Sequence, residues 1–174
     1  RALRLAARHG AVTVGEAPEA AWRIHSVRVE RLTTRFGLTH DGVEVGPVRI
    51  GTPGRHHARN AAVAIAVAVA HGVAVGEAVA GVGAYRGVSR RFEVLGEVDG
   101  VTVVDDYAHH PTEVQATLEA ALLSGRRGRV FFQPHRLLRT QELWEAFAQA
   151  LKGAHEVVVL PVYTAGERGR ESPE

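Results

Sequence analysis

The block at residues 101–125 constrains the fold most, because it joins a strand, a polar turn and a helix without a break. Its first four residues are Val or Thr, which predicts a short buried strand. Asp105 and Asp106 follow at the carboxyl end of that strand, where open α/β sheets bind their ligands. Pro111 suits the first position of a helix, and Glu113 places negative charge near the positive end of the helix dipole. The block therefore predicts an α/β fold with a functional turn between the strand and the helix.

The second half of the chain alternates between strand and helix patterns. Such alternation implies a mainly parallel sheet with right-handed crossovers. The helix that follows the polar turn has four apolar residues on one stripe, which are Val114, Leu118, Ala121 and Leu122. The predicted strands cover residues 93–98, 101–104, 129–133 and 156–160, and the predicted helices cover residues 111–124 and 141–151.

The first half predicts a small antiparallel sheet that is followed by helices. Asp41-Gly42, between two stretches rich in β-branched residues, is typical of a tight hairpin turn. A helix follows from residue 55 to residue 71, and because its body is apolar on every side we expect it to be buried except at its polar start. The predicted strands cover residues 22–29, 31–39 and 43–50, a second helix covers residues 77–84, and the two domains cover residues 1–91 and 92–174.

The composition excludes several classes of protein. With 45% hydrophobic and 23% charged residues, the chain is typical of folded domains rather than disorder. The net charge of +2 gives no general affinity for nucleic acid or membranes, and the longest apolar run, residues 61–70, is far shorter than the ~20 residues that span a bilayer. We therefore expect a cytoplasmic protein that binds neither nucleic acid nor membranes. The absence of cysteine excludes thiolate metal sites, and the absence of methionine predicts that the 174 residues belong to a longer protein.

Two polar clusters mark the first half of the chain. His57 and Asn60 lie at the predicted start of a helix, where an anion or the edge of a base could bind, although simple helix capping is the alternative. Arg90 and Arg91 lie at the predicted domain boundary, where one guanidinium could reach a phosphate or could form an ordinary surface ion pair.

Two more clusters mark the second half. The segment 105–110 has carboxylates and imidazoles that could bind a metal, a ribose or a substrate, or could serve only the local structure. Arg136 and Arg139 follow a predicted strand and, three residues apart, can share one face of a turn that suits a carboxylate or a phosphate. A solvated basic turn is the alternative. No G-x-x-x-x-G-K-[ST] loop occurs in the chain, so a phosphate-binding loop would have to lie upstream.

These four clusters, in this order, resemble the Mur ligases, the ATP-dependent enzymes that add amino acids to the bacterial peptidoglycan precursor. The resemblance is most specific in Asp105-Asp106-Tyr107-Ala108-His109-His110-Pro111-Thr112-Glu113 and in the segment 132–140. It implies that residues 1–91 are the second half of a P-loop-type central ATPase domain with an antiparallel β subsheet. Residues 92–174 would then be the first part of a Rossmann-like carboxy-terminal domain that binds the amino acid.

The resemblance also assigns site residues. On the ATP side it implies adenine contacts from His57 and Asn60, a phosphate contact from Arg91 and a ribose contact from Asp106. Position 57 departs from the family, which usually has Asn there. On the amino-acid side it implies Tyr107, His109, Arg136 and Arg139. No catalytic side chain and no metal ligand is assigned within these residues, although the family uses Mg²⁺ with ATP.

The implied reaction forms an amide between UDP-N-acetylmuramic acid and L-alanine, through an acyl phosphate, in peptidoglycan synthesis and hence in cell wall biogenesis, cell shape and cell division. A recycling ligase that joins a tripeptide to the same UDP-sugar is the alternative within the family, and the segment 133–140 favours the alanine enzyme. Alternatives from other classes are a non-catalytic binding module and a metal-dependent hydrolase. The hydrolase would use His56, His57, Asp105, Asp106, His109 and His110. Without a phosphate-binding loop or a UDP-sugar domain, the chain alone is expected to be inactive.

Overall fold

The computed structural model describes residue 6, residues 8–123 and residues 125–167. The chain divides into two compact units, Arg1–Phe92 and Glu93–Glu174. Among the described residues, no helix combines the length and the apolar content that a membrane crossing requires.

The first unit is built on a four-stranded sheet in the order β1-β2-β3-β4. Its strands are β1 (Val14–Gly15), β2 (Trp22–Glu30), β3 (Thr33–His40) and β4 (Val43–Ile50). The last three strands pair antiparallel, as predicted, and the short first strand is parallel to β2. Asp41 and Gly42 have φ angles of 48° and 80°, the left-handed pair that a two-residue hairpin turn needs. The predicted hairpin is confirmed.

Two helices, α1 (Arg55–Ala70) and α2 (Val75–Ala84), pack against this sheet. Ile65 and the alanines of one side of α1 join Ile24, Phe36, Leu38 and other strand residues in the core. Val63 and Val67 on the other side are 46% and 53% exposed, so the expected burial of the whole helix is wrong. The sheet covers only one side of α1, and an apolar composition alone does not show how many sides are covered.

The second unit has two small sheets and two helices. Its elements are β5 (Glu93–Val98), β6 (Val101–Asp105), α3 (Pro111–Leu122), β7 (Arg129–Phe132), α4 (Leu137–Leu151) and β8 (Glu156–Val159). Strands β5 and β6 form an antiparallel pair, and β7 and β8 form a parallel pair. Among the described residues β6 does not pair with β7, so the sheet differs from the single, mainly parallel one that was predicted.

Helices α3 and α4 pack on the β7–β8 pair through one apolar cluster. Val114 and Leu118 from α3 meet Phe132 from β7 and Phe147 and Leu151 from α4. The predicted stripe on α3 is thus confirmed for Val114 and Leu118, whereas its last turn buries Ala120 in place of Ala121 and Leu122.

The burial predicted for strand β6 is not observed. Val101 and Val103 are 62% and 49% exposed, because β6 lies in a two-stranded ribbon. In β7, likewise, Phe132 is buried but Phe131 is exposed. Alternating or continuous apolar residues identify a strand, but neither pattern shows which neighbouring layer covers it.

Candidate functional site

The turn between β6 and α3 is held by hydrogen bonds from its own polar side chains. A carboxylate oxygen of Asp106 accepts a 2.7 Å hydrogen bond from the Ala108 amide. The Glu113 carboxylate accepts from the amides of His109 and His110 at 3.0 and 3.2 Å, and His110 Nδ1 accepts from the Thr112 amide. Together these bonds form a capping box with His110 as the N-cap of α3. The predicted helix start is confirmed, and Glu113 acts there as a direct hydrogen-bond acceptor.

The hydrogen bonding of His109 fixes which ring nitrogen carries the proton. Its Nδ1 lies 2.9 Å from the Tyr107 carbonyl oxygen, which can only accept, so Nδ1 must be the donor. In the neutral ring Nε2 is then left as an acceptor. His109 can therefore offer a lone pair to a ligand while its backbone is held by Glu113.

Four rings gather beyond the carboxyl ends of β6, β7 and β8, and we call them the ring cluster. They belong to Tyr107, His109, His135 and Tyr163. The ring centroids lie 5.1 Å apart for Tyr107 and His109, 6.1 Å for His109 and His135, and 5.5 Å for His135 and Tyr163. The carboxyl ends of parallel strands are where α/β folds bind ligands, so the position of the cluster supports a binding site.

The two arginines of the second unit lie at the start of α4 rather than in a turn. The helix begins at Leu137, four residues before the predicted start, with Arg136 as its N-cap at a φ of 73°. Arg139 is in the first turn of α4, and its Nη1 lies 3.5 Å from the His109 carbonyl oxygen. The amide and hydroxyl of Thr140 both bond the Arg136 carbonyl, at 3.1 and 2.7 Å, which explains the earlier helix start.

A buried threonine fixes the start of α1 in the first unit. The Thr34 hydroxyl donates to the Thr52 carbonyl and accepts from the Gly54 amide, each at 2.9 Å. The Gly54 carbonyl in turn accepts hydrogen bonds from the amides of His57 and Ala58, and these are the first backbone hydrogen bonds of α1. A core contact of strand β3 therefore positions the polar first turn that the sequence singles out.

A carboxylate from outside the helix also holds its first turns. Glu16 pairs with Arg55 and with Arg59, whose Nη2 lies 2.8 Å from the Glu16 carboxylate. The hydrogen bond from Arg59 lowers the pKa of the Glu16 carboxyl, and Arg55 adds to that shift. Glu16 therefore stays ionised and offsets two cations at the positive end of the helix dipole.

His57 and Asn60, the predicted adenine pair, lie on adjacent turns of α1. Burial lowers the pKa of His57 to about 4, and the neighbouring His56, whose ring centroid is 4.1 Å away, adds to the shift. His57 is therefore neutral near pH 7, with one ring donor and one ring acceptor. The side chain of Asn60 is exposed, so its amide is accessible to a ligand.

Arg91 lies in a turn at the end of the first unit. Its amide bonds the Val88 carbonyl at 3.1 Å, and its neighbours Arg90 and Phe92 both have positive φ angles, of 60° and 48°. Phe92 is buried, whereas Arg91 is exposed.

The structure brings part of the predicted site together. Within the second unit, Tyr107, His109 and Arg139 are neighbours, and Arg136 is tied to the same region through Tyr163, whose carbonyl accepts from the Arg136 amide at 2.8 Å. Among residues 8–123 and 125–167, no three His, Cys, Asp or Glu side chains are grouped so that they could hold a metal ion. The hydrolase alternative therefore has no ligand set among the described residues of either unit taken by itself.

Sequence reasoning gave no role to His135, Tyr163 or Glu167. Tyr163 comes soon after the fourth strand of its unit, and the rule that ligands bind beyond the carboxyl ends of strands could have indicated it. Glu167 pairs with Arg136, which is 31 residues earlier in the sequence, and no local sequence pattern predicts such a contact.

Comparison with known proteins matches residues 90–174 to the family described as Mur ligase, glutamate ligase domain. The UDP-N-acetylmuramate–L-alanine ligase of Salinibacter ruber is 43% identical over 158 residues, which are 90% of this chain and 33% of that protein. The enzyme of the same name from Streptomyces coelicolor is 46% identical over 166 residues, which are 94% of this chain and 36% of that protein. The chain thus spans about a third of the length of these curated relatives.

A solved structure agrees with these matches. The crystal structure of UDP-N-acetylmuramate–alanine ligase from Thermotoga maritima superposes with a TM-score of 0.77 at 28% identity, covering 91% of this chain and 36% of that one. These matches cover about nine tenths of the chain, so they include residues of both units. The chain has an α/β fold similar to that of the solved ligase. The chain belongs to the Mur ligase family.

Proposed function

We propose that this chain is part of an ATP-dependent ligase that joins L-alanine to UDP-N-acetylmuramic acid in the bacterial cytoplasm. The observation that carries the proposal is the 41–46% identity, over about nine tenths of the chain, to curated relatives named UDP-N-acetylmuramate–L-alanine ligase. In this assignment residues 1–91 are the second half of a P-loop-type central ATP-binding domain. Residues 92–174 are the first part of a Rossmann-like domain that binds the amino acid.

The chemistry of the first unit suits the adenine end of ATP. His57, which is neutral, and Asn60, which is exposed, together offer hydrogen-bond donors and acceptors on adjacent helical turns. We assign adenine recognition to this pair. The imidazole replaces the asparagine usual in the family and keeps one donor and one acceptor, but it loses the two-pronged geometry of an amide. Arg91 is assigned to the phosphates, since a guanidinium suits them well.

The second unit suits a ribose hydroxyl and a small amino acid. Asp106 uses one carboxylate oxygen to hold the turn, and we assign its charge to a ribose contact. Arg139, Arg136, Tyr107 and His109 lie around the start of α4 and the ring cluster. L-Alanine has little apolar surface, so its carboxylate must supply most of the recognition, and paired guanidinium groups are its natural receptor.

In the proposed reaction, the lactyl carboxylate of the UDP-sugar attacks the γ-phosphorus of ATP and ADP leaves. The amine of alanine then attacks the acyl carbon, phosphate leaves and the amine loses a proton, which gives the amide. Such transfers depend mainly on positioning and on charge stabilisation. The contributions of this chain are therefore to bind and orient ATP and alanine, and no nucleophilic side chain is required. The described residues form no cluster of three or more His, Cys, Asp or Glu side chains that could hold a metal ion, and we assign no Mg²⁺ ligand to them.

An assay of the complete protein tests the proposal. Phosphate release from ATP should require both UDP-N-acetylmuramic acid and L-alanine, and omission of either should abolish it. Release that requires a murein tripeptide in place of alanine would identify the recycling ligase instead. Hydrolysis of substrates without ATP, lost on chelation of zinc, would favour the hydrolase alternative and overturn the proposal.

A further inference from the structure

Two cations meet at the positive end of a helix dipole in the second unit. Arg136 is the N-cap of α4 and Arg139 lies in its first turn, which contains no acidic residue. The amino end of a helix carries a partial positive charge, which disfavours cationic side chains there. A receptor for a carboxylate benefits from this positive potential, but its long side chains must be held in place when no ligand is bound.

A carboxylate from a later segment of the chain meets this need. One oxygen of Glu167 lies 3.5 Å from Arg136 Nη1, and the other accepts a 3.4 Å hydrogen bond from the Leu138 amide in the first turn of α4. The Glu167 side chain is only 23% exposed, whereas that of Arg136 is 53% exposed. The carboxylate is therefore the fixed partner and the arginine is the one that is held.

The segment that brings Glu167 to this position is itself anchored. It continues the parallel pairing beyond β7 and β8, because the Leu160 amide bonds the Phe132 carbonyl at 2.9 Å and the Tyr163 amide bonds the Pro134 carbonyl at 2.8 Å. The Arg136 amide in turn bonds the Tyr163 carbonyl at 2.8 Å. The backbone of Arg136, which has a φ of 73°, and its guanidinium are thus both held by residues 163–167.

We propose that Glu167 is a positioning residue that aims the guanidinium of Arg136 at the carboxylate of the amino-acid substrate. Glu167 acts through Arg136 and does not itself touch the substrate. This inference rests on the proposed function and adds a residue to its amino-acid site. Arg139 takes its position from a different contact, the His109 carbonyl, so the two arginines are held independently.

Glu167→Gln separates the charge of the side chain from its hydrogen bonding. The side-chain amide oxygen of glutamine can still accept a hydrogen bond from the Leu138 amide, so this bond at the start of α4 is kept. The negative charge that holds Arg136 is lost. In the complete protein we expect the Michaelis constant for alanine to rise about two- to fivefold, within the range for an exposed ion pair, while that for ATP stays unchanged. Glu167→Asp should also raise the alanine constant, because its shorter side chain cannot reach both partners.

A matched control and a double-mutant cycle decide the outcome. Glu156→Gln removes an exposed ion pair with Arg129 in the same unit, so it should leave both Michaelis constants unchanged. If Glu167 acts through Arg136, then Glu167→Gln should have no further effect in an Arg136→Ala background. Additive effects, an equal rise in the ATP constant, or an unchanged alanine constant in active enzyme would overturn the inference alone. Absence of alanine-dependent ATP hydrolysis in the unmodified protein would overturn the proposed function and the inference with it.

Discussion

At the scale of single residues, Asp106 holds the turn after β6 and is also the residue that we assign to the ribose. Its carboxylate accepts from the Ala108 amide, a bond that the side-chain oxygen of asparagine can also accept. Asp106→Asn should therefore keep the turn but lose the charge that we assign to the ribose. We expect ATP binding to weaken by about 1.5–3 kcal/mol, the range for hydrogen bonds to a charged group.

Steady-state kinetics of the complete protein, with ATP and alanine varied separately, measure this effect. Asp99→Asn is the control, since Asp99 lies in the β5–β6 turn at a φ of 51°, a conformation that asparagine adopts readily. If Asp106→Asn leaves both turnover and the Michaelis constant for ATP unchanged, Asp106 does not contact the ribose.

Arg139 tests the amino-acid side of the proposed site. Lysine keeps the positive charge but loses the planar fork that binds a carboxylate with two hydrogen bonds. We expect Arg139→Lys to raise the Michaelis constant for alanine about tenfold, roughly 1.4 kcal/mol, while that for ATP stays the same. Arg129→Lys, in an exposed ion pair of the same unit, is the matched control. A rise in the ATP constant without a rise in the alanine constant would place Arg139 at the phosphates.

At the scale of secondary structure, the pairing of β2 and β3 depends on a glycine. Gly37 lies directly opposite His25, and a Cβ added to Gly37 would lie 2.1 Å from Cε1 of the His25 ring. To avoid the clash the ring would have to turn, which would change the 3.4 Å distance from its Nε2 to the Glu44 carboxylate and the 3.3 Å distance from its Nδ1 to the Ser26 hydroxyl. We expect Gly37→Ala to lower the free energy of unfolding by about 1–3 kcal/mol, the usual cost of overpacking.

Denaturant unfolding of the complete protein measures this change. Gly96→Ala in β5 is the control, because no atom lies within 4 Å of its added Cβ. His25→Ala should remove most of the penalty when it is combined with Gly37→Ala, since the clash is with that ring. Equal destabilisation by the two glycine substitutions would show that glycine's backbone freedom, and not the His25 ring, sets the effect.

The secondary structure was predictable wherever local chemistry decides it. Asp41-Gly42 predicted one hairpin correctly, and Pro111 with Glu113 predicted the start of α3. The start of α4 was not predictable, because it depends on the left-handed conformation of Arg136 and on contacts from residues 163–167. The exposure of Val63 on α1 was missed for a related reason, since burial depends on which layer covers a face.

The same distinction applies to the candidate site. Asp106, His109 and Arg139 could be proposed as ligand-binding residues from the sequence, because short polar clusters after strands point to ligands. The proposed role of Glu167 could not be predicted, because Glu167 reaches Arg136 and the Leu138 amide only through the fold. The local sequence therefore predicts the residues that we propose to contact the ligand. It does not predict as well the residues that hold those side chains in position.

At the scale of the whole molecule, the proposed reaction needs more than these 174 residues contain. Of the residues that we assign to ATP, His57 and Asn60 belong to the first unit and Asp106 belongs to the second. None of these groups can replace a loop of backbone amides around the phosphates, and no G-x-x-x-x-G-K-[ST] sequence is present. Because phosphoryl transfer depends on positioning and charge, its rate should collapse without that loop.

We therefore predict that residues 1–174, expressed alone, do not hydrolyse ATP in response to alanine and UDP-N-acetylmuramic acid. Circular dichroism should still show helix and strand, because each unit has an apolar core of its own. Phosphate release at equal molar concentration, with the complete protein as the positive control, makes the comparison. Substrate-dependent release by the 174 residues would mean that the phosphates are held by residues within this chain, and the family assignment of its ATP site would have to be redrawn.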